Sequence, residues 1–275
     1  MTAKISSELG NVQKTLFLPL WGRAVESQKS NPLLVDKTAV EIIARLDYDF
    51  SVIAGNVHEI TQRAWVVRSI LVDNVINGFL RRHPDATVVN IGCGLDTTFD
   101  RVDNGTVRWY DLDLPDVITL RRNFIPERER RTYIASSFLD DAWFHNVKAG
   151  DHVLFIGAGV FYYSEREQVK DFFHRVADAF PGSEIVFDVC STEGVKIANK
   201  EVIKKSGLDE KSFLLWGIDN SQQLLSWDSR IKILNECSYF RNRKKGLTLK
   251  GKIMAFFSDH LKVQWLIHMK FVNVI

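Results

Sequence analysis

The chain holds 275 residues, 45% hydrophobic and 25% charged, which excludes a disordered chain and fits one large domain or two small ones. Lys and Arg total 36 against 34 Asp and Glu, so the net charge of +2 lacks the basic excess of a nucleic-acid binder. No apolar run approaches the roughly 20 residues that span a bilayer, and residues 1–10 hold no apolar signal core, so a cytoplasmic protein with no nucleic-acid or membrane partner is expected.

Residues 1–83 read as helical. Between Glu59 and Arg82, Trp65, Val66, Ile70, Val75, Ile76, Phe79 and Leu80 recur at helical spacing, and His83-Pro84-Asp85 stops the pattern. Short apolar runs at 86–91, 106–111, 131–135, 151–157 and 184–190 predict buried strands. Helix-like segments near 95–102, 115–123, 138–146 and 164–180 separate them. This alternation predicts a doubly wound α/β fold, with a parallel sheet covered on both faces and its strand C-termini on one rim. Residues 191–230 read as helical. The strand candidates 252–257 and 263–271, joined through 258–260, predict a terminal antiparallel hairpin. Cys93, Cys190 and Cys237 are too few and too far apart for a disulfide framework or a metal site. Reduced thiols are expected, at least two in buried strand or strand-end positions.

Two motifs carry chemistry. Val88-Val-Asn-Ile-Gly-Cys-Gly-Leu-Asp-Thr-Thr98 takes a strand through Gly92-x-Gly94 into a helix, so the backbone can turn tightly and approach a ligand. Taken alone, this is also an ordinary strand-to-helix turn. Asp111-Leu-Asp-Leu-Pro115 ends the next strand and puts Asp113 about 20 residues after the first glycine, where a carboxylate can accept ribose hydroxyls. Capping of the helix at Pro115 is the plainer role for Asp111 and Asp113. Thr97 replaces the third glycine of a dinucleotide fingerprint, and Asp96 would repel a pyrophosphate, so a nicotinamide enzyme is disfavoured. No P-loop is present. The acids Asp96, Asp111 and Asp113, with one cation for a carboxylate, suit S-adenosyl-L-methionine, which has no phosphate and carries a positive sulfonium.

The glycine and acidic motifs resemble those of the methyltransferase family that groups leucine carboxyl methyltransferases with tetracenomycin-type polyketide-synthesis O-methyltransferases. The likeness spans roughly 10–190. It includes residues 12–24 and 31–36, the Gly-Leu-Asp-Thr-Thr-Phe of 94–99, residues 109–117 and the Gly-Ala-Gly-Val-Phe-Tyr-Tyr of 157–163. The resemblance implies a class I, Rossmann-like methyltransferase with a seven-stranded, mostly parallel sheet. A helical lid region over 1–83 and a cofactor-binding core over 84–275 would pack as one domain. It also implies a role for each matching residue. Gly92 and Gly94 would underlie the methionine moiety and Asp113 would hold the ribose. Arg68 would pair with the cofactor carboxylate, with Arg23 as a second cation. Ser137 and Phe138 would contact adenine, and because the family often has Asp at 137, Asp140 is an alternative partner. Ala158 and Gly159 belong to the fourth-strand motif; Ala158 replaces the glutamate of the leucine carboxyl branch, which points to a small-molecule acceptor. Tyr162 and Tyr163 would orient that acceptor, or merely pack. His58, His145, His152 and His174 lie in no catalytic motif, and Trp216 and Trp227 could line a substrate pocket from 191–230, packing being their plainer role. The expected reaction is in-line methyl transfer to a carboxylate or hydroxyl, under a lid that excludes water. A protein C-terminal carboxyl methyltransferase and a non-catalytic S-adenosylmethionine-binding protein are the alternatives. Nothing in the sequence sets the oligomeric state.

Overall fold

The computed structural model describes residues 4–6 and 8–273. A 3-10 turn at Gln13–Leu16 leads into α1 (Phe17–Ser27), followed by α2 (Lys37–Arg45), α3 (Ser51–Asn56) and α4 (Glu59–Arg82). The chain then alternates: β1 (Thr87–Ile91), α5 (Thr98–Val102), β2 (Arg108–Asp113), α6 (Pro115–Arg122), β3 (Arg131–Ala135), β4 (Val153–Gly157), α7 (Arg166–Ala179) and β5 (Glu184–Val189). After α8 (Thr192–Ala198) come one π-helical and several 3-10 turns, then β6 (Ile231–Ser238), α9 (Leu249–His260) and β7 (Trp265–Phe271).

The strands form one sheet in the order β3-β2-β1-β4-β5-β7-β6. The first five are parallel, and β7 runs antiparallel to both β5 and β6. Every residue of β1, β4 and β5 is buried, so these strands read as continuous apolar runs rather than alternating ones. β1 pairs with β2 on one side and β4 on the other. The chain therefore winds outward in both directions from β1, and a crevice opens beyond the strand C-termini at that reversal.

One face of the sheet is covered by α4, whose Val67, Leu71, Val72, Ile76 and Phe79 pack on Val88, Leu154, Ile156 and Val186. The helix ends where Pro84 forces His83 out of helical geometry (φ −139°). The other face is aromatic: Trp143, Phe161, Phe172 and Phe173 pack on Phe155 and Phe187. A third cluster joins Phe17, Leu20 and Ile42 of α1 and α2 to Val117 of α6 and to Cys190 and Leu214 beyond β5. Leu18, Val117, Cys190 and Leu214 of that cluster line the crevice, and we propose that α1 and α2 form its roof.

Two expectations for the tail are corrected. Residues 252–257 lie within α9, not in a strand, and the antiparallel partner of β7 is β6, within a stretch that had no expected element. β6 is an edge strand with a register shift between Ile233 and Asn235 and mostly exposed or half-buried residues, so its sequence lacks an apolar run. The helix expected over 138–146 is one 3-10 segment, Ala142–Asn146. Cys93 and Cys190 are buried free thiols just past β1 and β5, and Cys237 is a half-buried free thiol on β6.

Candidate cofactor and acceptor site

A cavity of about 740 Å³ lies at the reversal, within the usual range for a small-ligand site. Its floor is the Gly92–Gly94 loop. Gly92 (φ +59°) is pressed against Val160, where an added Cβ would stand 2.5 Å from Cγ2, and Gly94 (φ +47°) faces Leu16, where it would stand 3.2 Å from that side chain. Only glycine accepts this combination of left-handed backbone and close approach.

One arm of the cavity runs toward β2 and β3. The Gly94 N–H donates to Asp113 Oδ2 (2.7 Å) and the Leu114 N–H to Oδ1 (2.8 Å), which fixes the carboxylate at the cavity wall. Burial pushes its pKa up to about 6, against the pull of those two hydrogen bonds. Asp113 does not cap α6, which starts from Leu114 with Pro115 in its first turn. Ser137 and Phe138 line this arm; Ser137 Oγ accepts from Leu139 N, and the Phe138 ring stands edge-on to Phe161 and Phe172. Asp140, the alternative partner, is exposed, bonded to Ser136 and outside the cavity. Asp96 is in the cavity wall. Burial would raise its pKa, but Arg101, Arg23 and a hydrogen bond from Thr98 hold it well below the usual carboxylate range.

Asp111 requires correction as a site acid. It is fully buried, outside the cavity, and held by Arg121 (2.9 Å) and Arg131 (2.8 Å). Arg23 reaches the cavity wall but is largely committed elsewhere, through Nε to Asp36 (2.8 Å) and Nη2 to the Leu95 carbonyl (2.9 Å).

The other arm runs toward β5 and β7. Arg68, on α4, lines it and packs against Gly159 (φ +81°), where a Cβ would stand 2.5 Å from Nη1. Behind it lies Asp188, fully buried, its Oδ2 accepting from Arg68 Nη1 (3.3 Å), Tyr162 Oη (3.2 Å), Tyr239 Oη (3.2 Å) and Gln264 Nε2 (2.5 Å). Its Oδ1 accepts from Gly159 N (2.5 Å). Tyr162, Tyr163, Ala158 and Gly159 all line the cavity. Burial raises the Tyr162 phenol well above its ordinary value and the Tyr163 phenol to about 12, so both are protonated at neutral pH. Burial raises the Cys190 thiol as well. Beyond this cluster the wall is apolar, with Phe240, Met254, Phe257 and Leu261, and exposed His58 stands at its rim. His145, His152 and His174 lie elsewhere, as do Trp216 and Trp227.

The structure thus adds Asp188, Tyr239, Gln264 and, from the N-terminal turn, Thr15 and Leu16 to the residues expected from sequence. Asp188 left a trace, an acid inside β5 among Ile185, Val186, Phe187 and Val189. Tyr239 and Gln264 left none.

Residues 17–177 match the sequence profile of the leucine carboxyl methyltransferase family. The chain belongs to that family. Its enzyme class is accordingly that of an S-adenosylmethionine-dependent methyltransferase. The tetracenomycin polyketide synthesis O-methyltransferase TcmP of Streptomyces glaucescens is 32% identical over 220 residues, covering 79% of each chain. The S-adenosyl-L-methionine-dependent methyltransferase dpfgK of Gibberella zeae is 27% identical over 258 residues, covering 85% of this chain and 86% of that one. Among solved structures, a candidate methyltransferase from Thermobifida fusca superposes with a TM-score of 0.58 at 13% identity, over 93% of this chain and 94% of that one. A DUF574 family protein from Streptomyces avermitilis gives 0.55 at 11% identity, over 91% and 96%. These likenesses show the fold, the mostly parallel seven-stranded sheet of class I methyltransferases.

Proposed function

We propose that this family member is an O-methyltransferase acting on a carboxylate or hydroxyl of a small, largely apolar, polyketide-like molecule. The observation that carries the reading is the cavity's division into a polar arm at Gly92, Gly94 and Asp113 and an apolar arm beyond Arg68 and Tyr162. S-adenosylmethionine, when bound, supplies a methyl group already activated by its sulfonium. The residues present fit that cofactor. Each Asp113 oxygen keeps a lone pair for a ribose hydroxyl after accepting from Gly94 and Leu114. Arg68 offers a guanidinium to the cofactor carboxylate beside the Gly159 backbone. Asp96, kept ionised, adds the negative field that a cationic ligand needs. Ser137 and Phe138 border the adenine side.

The chain's acid–base chemistry narrows the acceptor. Tyr162, Tyr163 and Cys190 all keep their protons at neutral pH, so none of them takes one from an acceptor. An acceptor oxygen that is ionised by itself, as in a carboxylate or an acidic hydroxyl, needs only alignment, and alignment can supply about 7–11 kcal/mol. On this reading Tyr162 and Tyr163, which line the cavity, provide it. The small-molecule choice is supported by the name of the TcmP relative and by Ala158, which stands where the leucine carboxyl branch carries glutamate.

The test is calorimetric titration with S-adenosylhomocysteine and, as control, NADH, then turnover on small carboxylic acids and phenols against peptides ending in leucine. Binding of S-adenosylhomocysteine alone and methylation of a small acid or phenol are expected. Preference for NADH would overturn the cofactor assignment, and turnover of the peptide alone would overturn the acceptor class.

A further inference from the structure

We propose that α9 and the basic segment leading into it seat the protein on an anionic lipid surface, and that the apolar arm of the cavity opens through this face. The helix is amphipathic in an inverted sense. Its small residues Gly251 and Ala255 are buried toward the start of α4, while Leu249, Ile253, Phe256, Phe257 and Leu261 project outward, 46–77% exposed. These positions fall at helical spacing and make one contiguous stripe. A single exposed leucine needs no explanation, but a continuous stripe of five large apolar side chains marks an interaction surface.

The charge around the stripe is one-sided. Arg241, Arg243, Lys244, Lys245, Lys250 and Lys252 fall within 241–252, which contains no acid. Two carboxylates lie beside the segment, Glu59, which accepts from Thr248, and Asp259, which accepts from the Phe240 N–H (3.0 Å), against these six cations. A basic rim around apolar side chains matches an anionic, apolar-cored surface. A second copy docked by a two-fold axis would set the basic rim against itself. An acidic protein is the less fitting occupant, because the stripe is a row of projecting side chains on one helix.

The cavity adds an independent reason. Phe257 and Leu261 belong both to the exposed stripe and to the cavity wall, which Met254 and Ser258 of the same helix also line. An apolar acceptor held at a membrane surface would therefore reach the site without crossing water. The entry route rests on the proposed methyl transfer to an apolar molecule, whereas the docking itself does not.

Docking is tested with the whole protein by co-sedimentation with phosphatidylcholine vesicles, with and without phosphatidylglycerol, in the absence of cofactor and acceptor. Binding is expected only to the phosphatidylglycerol vesicles and should weaken with salt. It should fall at least about tenfold in the double variant Ile253→Ser with Phe256→Ser and in Lys250→Glu with Lys252→Glu. None of these four residues lines the cavity, so both variants should bind S-adenosylhomocysteine as the parent does, which shows them folded. Failure to bind anionic vesicles, equal binding to neutral ones, or undiminished binding by the variants would overturn the proposal. Retention on poly-L-glutamate without vesicle binding would overturn it in favour of an acidic protein. A dimer broken by the apolar double variant, again without vesicle binding, would overturn it in favour of a second copy.

Discussion

Asp113 is held in a place that its charge disfavours. Removal from water pushes its pKa up to about 6, and two backbone N–H groups only partly offset this. In the ligand-free protein its contribution favours folding most below the unfolded value near 3.9 and is lost as pH rises through about 6. Ligand binding runs the other way, because ribose hydroxyls donate to the ionised form. At pH 5 about a tenth of the sites are ionised, so the Kd for S-adenosylhomocysteine should be about tenfold higher than at pH 7.5, and Asp113→Asn should flatten the profile. A pH-independent Kd in the parent would remove Asp113 from the ribose role. Asp188 presents the opposite case, a buried carboxylate that gathers Arg68, Tyr162, Tyr239 and Gln264 at one oxygen. Asp188→Asn leaves the Arg68 guanidinium buried without its counter-charge and should lower unfolding free energy by about 3–5 kcal/mol in urea titration. An unchanged midpoint would show that Arg68 does not depend on it. Asp113 was legible through its distance from Gly92. Asp111 shares its strand and its face but lies two residues, about 7 Å, below the rim, where it meets Arg121 and Arg131 instead of the cavity.

Between elements, Asp36 fastens the roof to the glycine loop. Its side chain caps α2 by accepting from Ala39 N (2.9 Å), pairs with Arg23 of α1 (2.8 Å) and accepts from Thr97 Oγ1 (2.5 Å), beside α5. Burial opposes the charge, but Arg23, Thr97 and Ala39 outweigh it and hold the carboxyl below its ordinary value. That contribution is present at neutral pH and is lost as pH falls through the depressed folded value. Asp36→Ala removes a cap worth about 1 kcal/mol and strands a buried guanidinium, so a loss of about 3–5 kcal/mol is expected in urea titration, with faster proteolysis between α1 and α2. Parent-like stability and proteolysis would mean that the hydrophobic contacts of Phe17, Leu20 and Ile42 hold the roof unaided. α4 was legible from the helical spacing of its apolar residues, and the parallel strands from short apolar runs set between turn residues. α9 was not, because its buried side is made of Gly251 and Ala255 and its large apolar residues face outward, so the pattern that marks a core-facing helix is reversed. The short run Ile-Met-Ala-Phe-Phe then reads as a strand.

At the scale of the whole molecule, the division at residue 83 is a matter of sequence order more than of packing. We propose that 1–83 and 84–275 unfold as one cooperative unit. α4 belongs to the first stretch, yet its Val67, Leu71, Ile76 and Phe79 cover Val88, Leu154 and Val186 of the sheet. α1 and α2 share a cluster with α6 and with residues 190–214. Unfolding the N-terminal stretch alone would bare one face of the central strands, and each large side chain so exposed costs about 1.5–3 kcal/mol. Far-UV and near-UV signals should therefore follow a single denaturant transition with coincident midpoints. The cavity is lined from both stretches, by Leu16, Arg23 and Arg68 on one side and Gly92, Asp113 and Tyr162 on the other. S-adenosylhomocysteine should then move that one transition as a whole. At a ligand concentration of 100 times Kd the gain is about 2.7 kcal/mol, which for a chain of this size raises Tm by roughly 5–11 °C. An early transition that ligand leaves in place, followed by a later one that ligand raises, would mean that the roof opens separately from the sheet and that the core alone binds the cofactor.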